Sequence, residues 1–110
     1  MKKLKPKCAL TAEQFNQIYP IGTEVKYYPV LSFDEYQIAH TTTKAIKMCG
    51  VTVVVGLDIG PACYSIANIE PTGYIYVKDE DGFAVKKLIS ELSVGDIIIS
   101  FNEYKEIVNA

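Results

Sequence analysis

One stretch of the 110-residue chain sets five hydrogen-bonding side chains in a row, His40, Thr41, Thr42, Thr43 and Lys44. Threonine suits a β-strand, whose pleated surface favours β-branched side chains. Successive strand residues point to opposite faces, so about half of the run must project outward. Groups held outward beside a loop on a rigid scaffold commonly bind. All five are therefore candidate binding residues, and replacing His40, Thr42 and Lys44 by alanine is expected to weaken binding while costing little stability.

The same run holds the only histidine, and eight residues separate it from Cys49, with thirteen more between Cys49 and Cys63. Without a CxxC or HxxxH element, that spacing predicts no metal site. A nucleophilic pair of His40 with Cys49 or Cys63 is formally available, but both cysteines fall at expected strand ends, where a free cysteine is ordinarily a small buried hydrophobe. Gly56-Leu-Asp-Ile-Gly60 lacks the lysine and the following helix of a phosphate loop, so no nucleotide cofactor is expected. Asp79, Glu80 and Asp81 have no calcium-loop spacing and form a second candidate binding group at a hairpin tip. Tyrosine is the main large aromatic. Tyr27 and Tyr28 point to opposite faces of one strand, and Tyr74 and Tyr76 to the same face of another. One of each set is expected in the core, and outward members among Tyr28, Tyr74 and Tyr76 would form a platform for protein contacts or base stacking.

Composition ranks the partners. All eleven basic residues are lysine, and arginine and tryptophan are absent. Arginine supplies the bidentate fork for phosphate and guanine, and both residue types dominate protein hot spots. Net charge is −2, with seven lysines against four acids up to Gly50 and four against nine afterwards. Phosphate neutralisation supplies most nucleic-acid affinity, so nucleic acid ranks third. A host protein ranks first and a small nucleotide-like ligand second, and a homo-oligomer is compatible with either. No apolar run approaches the roughly 18 residues needed to cross a bilayer, so no membrane partner is expected. The basic start lacks the apolar stretch of a signal peptide. Three cysteines without a short-spaced pattern suit free thiols in a reducing cytoplasm. Catalysis has no supporting constellation, and the expected role is binding without catalysis.

The elements that must hold these groups follow from local patterns. One domain is expected at this length, with residues 1–10 a flexible basic terminus. Thr11 to Tyr19 reads as a short helix, the only substantial one, with Thr11 as N-cap, Gln14 completing a capping box and Pro20 ending it. Thr23 to Tyr28 alternates as a strand, with Val25 and Tyr27 inward. Pro29 to His40 reads as a loop, and Thr41 to Met48 with Val51 to Leu57 as a hairpin around Cys49-Gly50. Ala62 to Ile69 is a further strand. Gly73 to Lys78 and Phe83 to Ile89 form a hairpin about Asp79-Glu-Asp-Gly82. Ile97 to Phe101 is a last strand, turning into Tyr104 to Val108. Ile21-Gly-Thr-Glu-Val25 and Val94-Gly-Asp-Ile-Ile98 echo each other. Short strands at even spacing predict a mainly β fold, a small barrel or sandwich.

Tyr19-Pro-Ile-Gly-Thr-Glu-Val-Lys-Tyr-Tyr-Pro29, His40-Thr-Thr-Thr-Lys-Ala45, Gly50-Val-Thr-Val-Val-Val-Gly56 and Ile66-Ala-Asn-Ile-Glu-Pro71 together resemble an uncharacterised family of small SH3-like β-barrel proteins of phages and mobile elements. The resemblance spans about Phe15 to Pro71. It implies an SH3-like barrel over residues 11–71, with 72–110 as an added β unit. Family members show Thr-Arg-Thr and Ala-Trp where this chain has Thr41-Thr42-Thr43 and Ala45-Ile46, so a site built on that arginine and tryptophan is altered here. The expected function is that of an accessory protein binding a host protein, as an inhibitor of a defence enzyme would. The alternative is a small-ligand binder.

Overall fold

The computed structural model describes residues 5–109. Helix α1 (Ala12–Ile18) starts where the capping box places it: Thr11 Oγ1 accepts the Gln14 N–H at 3.1 Å and Gln14 Oε1 accepts the Thr11 N–H at 3.0 Å. Its one buried side chain, Phe15, packs against Tyr19 with ring centroids 5.0 Å apart. Burying such a ring contributes about 2–3 kcal/mol. Asn16 ties the helix to the next layer, accepting from the Ala45 N–H at 2.7 Å and donating to its carbonyl at 2.9 Å.

Nine strands follow among the described residues, in three antiparallel three-stranded sheets. In the first, β1 (Glu24–Tyr27) lies between β2 (Gln37–His40) and β6 (Ile69–Pro71), with Val25 opposite Ala39 on one side and Pro71 on the other. In the second, β4 (Thr52–Gly56) lies between β3 (Ile46–Met48) and β5 (Cys63–Ser65). A bridge between Thr41 and Leu57 connects the two. In the third, β7 (Tyr74–Lys78) lies between β8 (Ala84–Leu88) and β9 (Ile97–Ile98). The fold is mainly β, and the sheets do not close into one barrel. Phe15, Val25, Ala39, Ala45, Val55, Leu57, Ile66 and Ile69 form the main core. Ile75, Tyr76, Val77 and Ile99 are buried in the C-terminal unit.

Several expectations hold. The turn between β3 and β4 puts Cys49 (φ 54°) and Gly50 (φ 76°) in the left-handed region that tight hairpins require. The Asp79 to Gly82 turn joins β7 and β8. The two echoing segments share a left-handed glycine, Gly22 and Gly95 having φ of 101° and 100° shortly before β1 and β9.

Others are corrected. Phe101–Val108 is a second helix, α2, where the last strand was expected to reach Phe101 and α1 to be the only substantial helix. Ser100 caps it by accepting the Glu103 N–H at 3.1 Å, and the half-buried Phe101, Tyr104 and Ile107 recur at helical spacing. The last strand shortens to β9 accordingly. The end of the expected loop, Gln37 to His40, is β2, because β1 offers it a partner edge. Thr41 to Ala45 makes one bridge rather than a continuous strand. A 3-10 turn over Ile66–Asn68, capped by Ser65, divides the strand expected over Ala62 to Ile69. On β1, Glu24 is buried beside Val25. Cys49 and Cys63 are exposed, one on a turn and one opening the edge strand β5, and Cys8 is the buried thiol. Cys8 is held by a neighbouring contact, the Lys7 N–H donating to the Ala67 carbonyl at 2.7 Å. Of the segment expected to be flexible, Lys7 to Leu10 thus packs on the fold, and residues 1–4 lie outside the described residues.

Candidate functional site

His40 ends β2 opposite Glu24, and the Thr41 bridge brings the turn after β4 alongside, so Asp58 faces it. Three hydrogen bonds lock the pair. The His40 N–H donates to Asp58 Oδ1 at 2.8 Å, His40 Nδ1 lies 2.7 Å from Asp58 Oδ2, and the Asp58 N–H donates to the His40 carbonyl at 3.1 Å. Phe101 stacks on the imidazole at 4.1 Å and 12°, and Tyr76 meets it edge-on at 5.2 Å. The side chain keeps only 6% of its exposure, and its Nε2 is buried without a hydrogen-bond partner. An unpaired buried polar atom costs about 1–3 kcal/mol.

His40, Asp58 and Phe101 line a cleft of about 420 Å³ where the C-terminal unit meets the first sheet. Ile21, Ile98, Ile99 and Phe101 give it apolar walls, and His40, Thr42, Asp58, Ser100 and Asn102 give it polar groups. Gly22 lies on the seam. Its φ of 101° favours glycine, and a Cβ there would come within 3.4 Å of the Ile99 carbonyl oxygen. Thr41 braces this wall from behind, its Oγ1 accepting the N–H groups of Gly22 at 2.9 Å and Thr23 at 3.2 Å.

A second buried network lies beneath. Glu24 Oε2 accepts from Tyr76 Oη at 2.9 Å and from Lys86 Nζ at 2.9 Å, while Thr72 Oγ1 lies 3.1 Å from Oε1. Burial alone would raise the Glu24 carboxyl, but Lys86, Tyr76 and Thr72 together hold it below the ordinary range. The Tyr76 hydroxyl is pushed up, first by burial and then by the Glu24 carboxylate.

Of the sequence candidates, His40, Thr41 and Thr42 line the cleft. His40 and Thr41 are buried rather than projecting, so replacing His40 removes core packing and the expectation of little stability cost is withdrawn. Thr43 turns to the main chain, its Oγ1 accepting the Gly56 N–H at 2.8 Å, and Lys44 is exposed away from the lining residues. The tyrosines form no single platform. Tyr28 is buried against Tyr36, with Lys7 over its ring at 4.2 Å. Tyr76 lies under His40, and Tyr74 is partly covered by Lys86 at 4.5 Å. Asp79 serves its own turn, its Oδ1 accepting the N–H groups of Asp81 at 3.0 Å and Phe83 at 2.9 Å, while Glu80 and Asp81 stay exposed at the hairpin tip. Asp58, Phe101, Asn102 and Gly22 are site residues that local patterning passed over. The echo of Gly22 and Gly95 was the one available signal, since Ile21 and Gly22 stand in one wall and the segment after Gly95, from Ile98 on, supplies the other.

No three of His, Cys, Asp and Glu come together to hold a metal ion among the described residues. No helix among them is long and apolar enough to cross a membrane. Compared with family models, curated proteins and solved structures, the chain matches none.

Proposed function

We propose that this chain is a non-catalytic module that binds a small molecule in the cleft between its first sheet and its C-terminal unit. The observation that carries this is the orphaned, buried Nε2 of His40, a residue that lines a largely apolar cavity of about 420 Å³. Ligand sites are typically apolar concavities with a few placed polar groups. Thr42 is exposed at the rim, so Thr42→Trp should fill the cleft without disturbing the core. Protein purified from its native cells, denatured and analysed by mass spectrometry should release a stoichiometric small molecule, and the Thr42→Trp protein should release none. Equal yields from both proteins, or none from either, would remove the reading.

The strand order supports an SH3-like reading of residues 11–71. β2 and β3 follow one another in adjacent sheets that the Thr41 to Leu57 bridge connects, β4 and β5 come next, and a 3-10 turn leads to β6 beside β1. With the resemblance described above, this favours an accessory protein of a phage or mobile element, working in the cytoplasm with reduced thiols. A host-protein partner is the second reading, favoured by Phe83, Val94 and Ile97, which are 67%, 97% and 61% exposed. Register brings these side chains to one end of the third sheet, where Ile97 pairs with Lys78 and Lys78 with Ala84. Affinity capture that retains a stoichiometric protein on the native chain but loses it on Phe83→Ser with Val94→Ser would favour that reading.

A further inference from the structure

We infer that the cleft selects an uncharged, mainly apolar molecule that presents one hydrogen-bond donor, a hydroxyl or an amide N–H, to His40 Nε2. This rests on the cleft being a ligand site and concerns what enters it. The argument starts from the tautomer. A carboxylate accepts only, so Asp58 Oδ2 at 2.7 Å fixes the proton of a neutral imidazole on Nδ1. Nε2 is then left with a lone pair and no donor to fill it. The atom a ligand must satisfy is therefore an acceptor, and a purely hydrocarbon ligand would leave it unpaired.

Charge narrows the class further. The one carboxylate in the lining is Asp58, and no lysine stands among the residues that form the walls. An anion would enter beside Asp58 with no cation to compensate it, which buried sites disfavour strongly. Nucleotide phosphates are thereby disfavoured, with only the main-chain N–H groups at the start of α2 to set against Asp58, whereas base-like or phenol-like rings are not. The apolar walls set the rest. Ile21, Ile98 and Phe101 offer flat and branched surfaces of the kind that hold a ring. Phe101 now covers the imidazole face. Because Nε2 exposes almost no surface and its lone pair lies in the ring plane, a side chain at the imidazole edge must move for the arriving donor to reach it.

The chain has one histidine, so its side-chain nitrogen signals are assigned without ambiguity. The test is a titration of the full, histidine-¹⁵N-labelled protein at neutral to mildly alkaline pH with three probes of similar size, phenol, toluene and benzoate. Phenol should shift the Nε2 resonance and saturate at least about tenfold below toluene, as expected when a donor fills an otherwise unpaired acceptor. Benzoate should bind no better than toluene. If phenol and toluene saturate alike and Nε2 does not move, the donor preference is wrong while the cleft remains a ligand site. If benzoate binds most tightly, the site selects anions and the charge argument fails. If no probe saturates and no cleft resonance shifts, the ligand-site reading itself fails.

Discussion

Glu24 is a carboxylate with three side-chain partners in a place almost closed to water, 6% exposed. Its folded pKa is depressed, so its contribution is fully present above the ordinary glutamic value of about 4.5 and is lost as pH falls through the lower folded value. Urea midpoints of the native protein should therefore fall between about pH 6 and about pH 3, and Glu24→Gln should flatten that slope. Asp96, held low by the Ser93 N–H and then by Lys87, acts with the same sign, so the difference between the two proteins isolates Glu24. An unchanged slope would show that the unfolded chain perturbs this carboxyl equally. His40 gives a second expectation at this scale. His40→Ala removes the stack on Phe101 and the Asp58 bond and should cost about 2 kcal/mol or more, whereas exposed Lys44→Ala should stay within about 0.5 kcal/mol. Chemical denaturation of the two variants separates them.

The elements divide into those specified by their own residues and those specified by a neighbour. α1 was legible because its capping box and Phe15 to Tyr19 stripe are local, and the hairpin about Asp79 to Gly82 because its turn chemistry is local. β2 was not, since Gln37 to His40 has no clean period and becomes a strand only against β1. α2 was obscured by the β-branched run of Ile97 to Ile99 leading into it. Its cap on Ser100 and the packing of Tyr104 on Tyr76, with ring centroids 4.6 Å apart, decide the outcome. The same division holds for the site: the His40 to Thr42 run stands out along the chain, but Asp58 and Phe101 become site residues only once distant segments meet. Ser100→Ala should destabilise the protein by about 1 kcal/mol, the usual value of a lost N-cap. Phe101→Ala should cost about 2–3 kcal/mol, less than a fully buried ring because Phe101 is half-exposed. Thermal melts of both would check the ranking.

At the scale of the whole molecule, two buried clusters share an elongated body of 53 × 27 × 24 Å. Glu24 with Tyr76 and His40 with Phe101 join them. A thiol reagent should modify exposed Cys49 and Cys63 quickly and buried Cys8 only as the fold opens. Cys8 protection and the tyrosine signal of the C-terminal unit should be lost at one urea concentration in the native protein. In Tyr76→Ala, the tyrosine signal should be lost first. A single coincident transition in that variant would mean the seam adds nothing to cooperativity. The seam also has a consequence for descent. One wall of the cleft, Gly22 with His40 to Thr42 and Asp58, comes from the first two sheets and their connections, and the facing wall, Ile98 to Asn102, from the C-terminal unit. On the proposed reading of residues 72–110 as an added unit that helps bind a ligand, exchanging it by recombination would keep the histidine and its carboxylate while replacing the surface opposite them, so ligand choice would change through one genetic event.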